Sequence, residues 1–114
     1  MKGELSQYSI KLSLRIIEYY KWLVNNSKEY VMSKQILRSG TSIGANIHEA
    51  NYAISKADFI SKMQIAVKEA AETEYWLLIL EKSGFWDNTF EDIKQLLYSV
   101  KRMLIATLNT SKGN

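Results

Sequence analysis

A chain of 114 residues that is 46% hydrophobic and 24% charged can build one core and is too apolar to remain disordered. It has no Cys, which excludes disulfides and thiolate metal sites. The formal charge of +3 is modest but uneven. Residues 1–51 carry seven Lys/Arg against four Asp/Glu, residues 52–92 four against eight, and residues 93–114 four against none. This reads as a solvated surface with an acidic third helix and a basic fourth, which helps neighbouring helices or neighbouring subunits attract. The sharper alternative is a basic face for nucleic acid. Met1–Gln7 shows no apolar run of signal-peptide type, and no stretch approaches the ~20 apolar residues of a membrane span. The expected location is the cytoplasm, with no membrane partner.

With no Pro and only five Gly, few breakers interrupt the chain. The spacing predicts a first helix over residues 4–25. Leu5, Tyr8, Leu12, Ile16, Tyr19 and Leu23 form one stripe; Ile10, Leu14, Ile17 and Val24 form a second. A bundle helix normally shows one stripe. Two adjoining stripes predict burial on two sides, by a core and by a subunit interface. Ser27 is the expected N-cap of a second helix over 28–51. The middle of that helix, Arg38–Ala50, is rich in small residues. Each Gly there gives up about 1 kcal/mol of helix propensity relative to Ala. Gly40 and Gly44 lie four apart on one face, which predicts a close crossing, expected here against the third helix.

Ser55-Lys56-Ala57-Asp58 has the form of a capping box and opens a third helix over 55–83, ended by Gly84. Phe59, Met63, Ala66, Ala70, Thr73, Leu77 and Leu80 are spaced as heptad a and d positions. Asn88-Thr89-Phe90-Glu91 offers a cap for a fourth helix over 88–109, striped by Phe90, Ile93, Leu97, Val100, Leu104 and Leu108. Ser111–Asn114 is expected to fray. Amphipathic helices with short connections predict an all-α, antiparallel up-down-up-down four-helix bundle, with residues 1–114 as a single domain. Trp22 and Trp76 fall outside the heptad lines, a second pointer to oligomerisation.

Chemistry is sparse. His48 is the single histidine, which leaves little for nucleophile–base pairings. There is no P-loop and no dinucleotide fingerprint. No catalytic, cofactor-binding or metal residues are expected, and the chain reads as a non-enzyme. The alternative is a carboxylate-bridged metal-binding bundle enzyme using Glu49, Glu69, Glu72 and Glu74. Such sites place Glu-x-x-His on two helices, whereas His48 directly precedes Glu49 and has no second His beside it. Ser42, Asn46, Glu49 and Glu69 read instead as a polar seam between helices 2 and 3 that fixes register. Lys11, Arg15, Lys94, Tyr98, Lys101 and Arg102 form the candidate nucleic-acid face. Cations beside a stackable ring suit single-stranded or looped RNA, and a ring oligomer would repeat that field around an axis.

The run Ser42-Ile43-Gly44-Ala45-Asn46-Ile47-His48-Glu49-Ala50, followed by Ser55, Asp58-Phe59, Ile65-Ala66, Glu69-Ala70, Glu74 and Trp76-Leu77, resembles the bacterial four-helix bundle protein family. That family is also called the 23S ribosomal RNA intervening-sequence protein family. The resemblance covers nearly the whole chain, with its specific core at residues 36–80. It implies an antiparallel four-helix bundle, typically a homopentamer, whose members were first noticed as reading frames inside insertions of ribosomal RNA genes. A more distant relative, the accessory variability protein of diversity-generating retroelements, is a basic pentamer that works with a reverse transcriptase and nucleic acid. By that analogy RNA or DNA is a candidate partner. No catalytic residue carries over. The family often has Pro in the first interhelical turn, where this chain has Ser27. A structural module of a toxin–antitoxin or phage-related assembly is a further reading. The expectation is a non-enzymatic homo-oligomeric scaffold that binds nucleic acid or a nucleic-acid-processing partner.

Overall fold

Amphipathic stripes of this kind must pair to leave water, and the computed structural model, which describes residues 3–113, shows how they do so. Among these residues the order is α1 (Glu4–Asn25), α2 (Met32–Ala50), α3 (Lys56–Lys82), a short 3-10 turn (Asn88–Phe90) and α4 (Asp92–Gly113). α1 packs on α2 and α4, and α3 packs on the same two. Consecutive antiparallel helices thus close a four-sided, up-down-up-down bundle, with extents of 46 × 21 × 21 Å.

The core follows the stripes. Leu12, Ile16 and Leu23 of α1, Ile36, Ile43 and Ile47 of α2, Met63 and Leu80 of α3, and Ile93, Val100 and Leu104 of α4 are buried. Burying one such side chain stabilises by about 1.5–3 kcal/mol. One end of the bundle is aromatic: Tyr19 lies 5.3 Å from Trp86 and 5.1 Å from Phe90 between ring centroids. The Tyr19 hydroxyl donates to the Phe85 carbonyl at 2.6 Å, and burial holds its pKa well above the ordinary tyrosine value.

The helix ends show what local chemistry does. α2 begins at Met32 rather than Lys28, and Ser27 does not cap it. Lys28 turns the chain with a φ of 55°. The Glu29 carboxylate then accepts the N–H groups of Val31, Met32 and Ser33 at 3.3, 3.1 and 2.7 Å. A single anion thus satisfies three of the orphan donors at the positive end of the helix. At α3 the Ser55 hydroxyl accepts from the Asp58 N–H at 3.0 Å, while Asp58 accepts from Ile54 N–H at 3.2 Å. The capping box therefore closes one residue upstream of its usual place. Gly84, at a φ of 90°, ends α3 in a Schellman arrangement, with Phe85 N–H on the Leu80 carbonyl and Gly84 N–H on the Glu81 carbonyl. Asp87, not Asn88, caps the 3-10 turn by accepting from the Thr89 N–H. α4 extends to Gly113, beyond the expected end at Asn109; Asn114, like Met1 and Lys2, lies outside the described residues.

The glycines of α2 face a different helix from the one expected. A Cβ on Gly40 would stand 2.9 Å from Ile16 Cγ2, and one on Gly44 would stand 3.3 Å from Ser13 Oγ and 3.5 Å from Ser9 Oγ. Both contacts are on α1. The small residues bring α2 against α1, and the expected α2–α3 glycine crossing is corrected accordingly. The helical period explains it: the Ser39 line of α2 takes the α3 side, which leaves Gly40 and Gly44 on the other flank.

Candidate functional site

Bundle helices carry function on what they do not bury, so the four long faces decide what this molecule can do. On the α2–α3 face the polar residues are spent on each other. Thr73 Oγ1 lies 2.9 Å from Ser39 Oγ and 2.8 Å from the Glu69 carbonyl, its one proton serving either acceptor. Both hydroxyl side chains are fully buried. Outside them, Arg38 pairs with Glu69 at 3.2 Å and with Glu72, and Lys62 pairs with Glu49 at 2.9 Å. Trp76 donates its indole N–H to Glu72 at 3.0 Å.

The seam expected from Ser42, Asn46, Glu49 and Glu69 is therefore composed differently. The buried link is Ser39–Thr73. Asn46 donates back to the Ser42 carbonyl within α2 at 2.8 Å, and the two carboxylates pair with cations at the surface. A carboxylate at the rim of a face keeps its hydration, whereas a hydroxyl tolerates burial with one partner. The signal available in the sequence was Thr73 within the heptad line, a polar residue at a core position.

The six residues of the candidate nucleic-acid face do not form one cationic surface. Arg15 gives two hydrogen bonds to Asp92, both 2.9 Å, one to Glu18 at 2.8 Å and one to the Thr89 carbonyl at 2.6 Å. Its guanidinium lies 5.2 Å from the Phe90 ring centroid. The Asp92 and Glu18 hydrogen bonds hold Arg15 even more firmly protonated, and Arg15 in turn pulls the Asp92 pKa down. Lys94 sits between Glu81 at 2.9 Å and Glu91 at 3.1 Å, with Trp86 beneath it at 4.9 Å. Those hydrogen bonds, Glu81 first, raise its pKa. Lys101 pairs with Glu74 at 3.0 Å. Lys11 and Arg102 are exposed and have no carboxylate partner among the described residues. Lys11 leans over Tyr8 at 5.4 Å and lines a groove of about 640 Å³ between α1 and α4.

The carboxylates named for a metal-bound bundle point outward. Glu49, Glu69, Glu72 and Glu74 are engaged by Lys62, Arg38 and Lys101 at the surface. Among the described residues no three His, Asp or Glu converge as a metal would need. The buried polar residues there are hydroxyls only: Ser9, Ser33, Ser39 and Thr73.

Two other faces expose apolar side chains. Ile10 and Leu14 of α1 are 59% and 57% exposed. Ile10 and Ile17 lie one turn either side of Ser13, the residue against Gly44, so Ile10 stands on the α2 side of α1, whereas Leu14 lines the groove between α1 and α4. Opposite, Leu78 of α3 and Tyr98 of α4, 48% and 63% exposed, line a groove of about 390 Å³ rimmed by Glu74, Glu81 and Lys94. Ile105 adds to that side. The sequence stripes did not reveal this second strip. The only trace is that Trp76-Leu77-Leu78-Ile79-Leu80 is apolar on every side of its turn. Trp22, expected to face a neighbour, packs instead within the chain, 5.7 Å from Phe90.

A family model for the 23S rRNA-intervening sequence protein matches residues 2–106. The chain belongs to that family. Among solved structures it is similar to a protein of unknown function from the S23 ribosomal protein family of Bacteroides thetaiotaomicron VPI-5482, at 49% identity and a TM-score of 0.89, covering 92% of this chain and 98% of that one. No curated protein matches it. For this member of the 23S rRNA-intervening sequence proteins, no described helix is long and apolar enough to cross a membrane. Its unspent surface includes the two apolar strips, Lys11 and Arg102, besides other exposed side chains such as Val31, Tyr52 and Ile54.

Proposed function

We propose that this protein is a non-enzymatic helical scaffold that assembles with copies of itself and presents the assembly to nucleic acid. The observation that carries the first part is the Ile10–Leu14 strip. Large aliphatic side chains more than half exposed, next to a helix flank of Gly44 and Ala45, form a surface that water solvates poorly and another helix can approach closely. The homopentamer implied by the family resemblance agrees with that reading. The cytoplasm is the proposed location.

The nucleic-acid part rests on fewer residues than the six-residue face. Arg15, Lys94 and Lys101 are already neutralised, so within that face Lys11 and Arg102 are the cations left to meet phosphate. Repeated around an assembly, that pair and the net charge of +3 per chain make a field that one copy lacks. Sedimentation at micromolar concentration tests assembly. Mobility shift with structured RNA tests the partner: binding should weaken steeply with salt and fall after Lys11→Glu with Arg102→Glu. Binding that ignores both changes removes nucleic acid from the account.

A further inference from the structure

We infer that the nucleic acid this protein takes is an unpaired strand, and that one of its bases enters the α1–α4 groove against the Tyr8 ring. This rests on the nucleic-acid reading above and adds the form of the strand and the place of contact.

The groove lies where the bundle is not closed. Gly40 and Gly44 bring α2 close on α1, and Ser39 with Thr73 joins α2 to α3. Between α1 and α4 a hollow of about 640 Å³ remains. Small-ligand sites commonly measure about 300–1,000 Å³. At one end Arg15 is spent on Glu18 and Asp92.

Tyr8, Lys11, Gln95, Leu96 and Ser99 line the rest, and their chemistry suits a base. Tyr8 packs partly on the core, which holds its ring in place. The Gln95 amide and the Ser99 hydroxyl have no hydrogen-bond partner among the described residues. Their donors and acceptors are therefore open to the edge of a base. The Lys11 ammonium stands 5.4 Å from the Tyr8 ring centroid. A cation–π contact at an exposed site is weak, so the ammonium is free to swing to a phosphate while a base takes its place on the ring. Paired bases are stacked on one another with their edges used, so a duplex offers this groove phosphates only.

Charge points to the same kind of partner. Asp92, Gln95, Leu96 and Ser99 line the groove at helical spacing, and Arg102 continues that line one turn beyond Ser99. Lys11 on α1 and Arg102 on α4 thus flank the groove from its two sides. Of the chain's twelve Asp and Glu, all but Glu4 are held by a cation or a backbone N–H among the described residues. A second copy therefore has almost no free carboxylate to give these two cations. A phosphate backbone carries an anion at every step.

Fluorescence anisotropy with a short unstructured RNA, and with the same RNA annealed to its complement, tests this. The single strand should bind several-fold tighter than the duplex at equal salt. Tyr8→Leu should weaken strand binding about ten-fold, as loss of a base–aromatic stack does, and Tyr8→Phe, which keeps the ring, should bind more tightly than Tyr8→Leu. Gln95→Ala, at an exposed position where the fold is not at stake, should weaken it a few-fold. Equal affinity for strand and duplex, or strand binding that neither Tyr8→Leu nor Gln95→Ala changes, would overturn the base site and leave nucleic-acid binding standing. A protein that binds neither probe removes both.

Discussion

α2 borders two faces of the bundle, and the two are finished differently. On its α3 side every strong polar group has a partner: Ser39 with Thr73, Arg38 with Glu69 and Glu72, Glu49 with Lys62. On its α1 side the buried contact is made by absent side chains, at Gly40 and Gly44, and the rim is left to the exposed Ile10. The first face is complete in a single chain. The second leaves apolar surface whose burial requires another molecule.

The largest expected effect breaks the glycine contact. Gly40→Leu drives a side chain into the fully buried Ile16, whose branched Cβ cannot swing aside, and should cost about 3 kcal/mol in thermal unfolding. Gly44→Ala sharpens the contrast. Its Cβ meets hydroxyls at 3.3 Å or more, and the gain in helix propensity, about 1 kcal/mol, offsets much of the crowding. A melting temperature of Gly40→Leu equal to the parent's would refute the close α1–α2 approach.

On the opposite side of α2, Ser39→Ala leaves the buried Thr73 hydroxyl only its own helix's carbonyl to bond. A loss of about 1 kcal/mol in denaturant unfolding is expected. No loss would mean that the pair contributes register alone.

The smallest effect is electrostatic and lies away from α2. Arg15 holds the Asp92 carboxyl below its ordinary value. A depressed carboxylate contributes stability that is complete above its unfolded pKa, about 4, and is lost as pH falls through the folded one. Asp92→Asn should therefore cost under about 1 kcal/mol at neutral pH, reduced because the pair is solvated, and the gap to the parent should close in acid. A gap that stays constant down to strong acid would mean that the Arg15 contact is steric.

The fold was legible because the heptad lines are long and unbroken: Leu12, Ile16, Leu23 and Ile93, Val100, Leu104 are buried where their spacing places them. The start of α2 was not legible, because a Glu29 side chain capping three N–H groups leaves no standard cap signature. The glycine partner was missed for a related reason. Periodicity identifies the residues that share a face, but α2 has neighbours on two flanks, and only the tertiary arrangement says which flank meets which helix. The cationic face was overread because Lys94 and Glu81, or Lys101 and Glu74, are distant in sequence and neutralise each other only after α3 and α4 pack.

The central claim is that the α1–α2 face is built to meet another molecule of this chain. Sedimentation velocity of the parent protein and of Ile10→Glu with Leu14→Glu tests it most directly. The parent should sediment as an oligomer, and the double variant should fall to a smaller species with its helicity intact. A monomeric parent at high micromolar concentration, or a variant that keeps the parent's assembly, would contradict it.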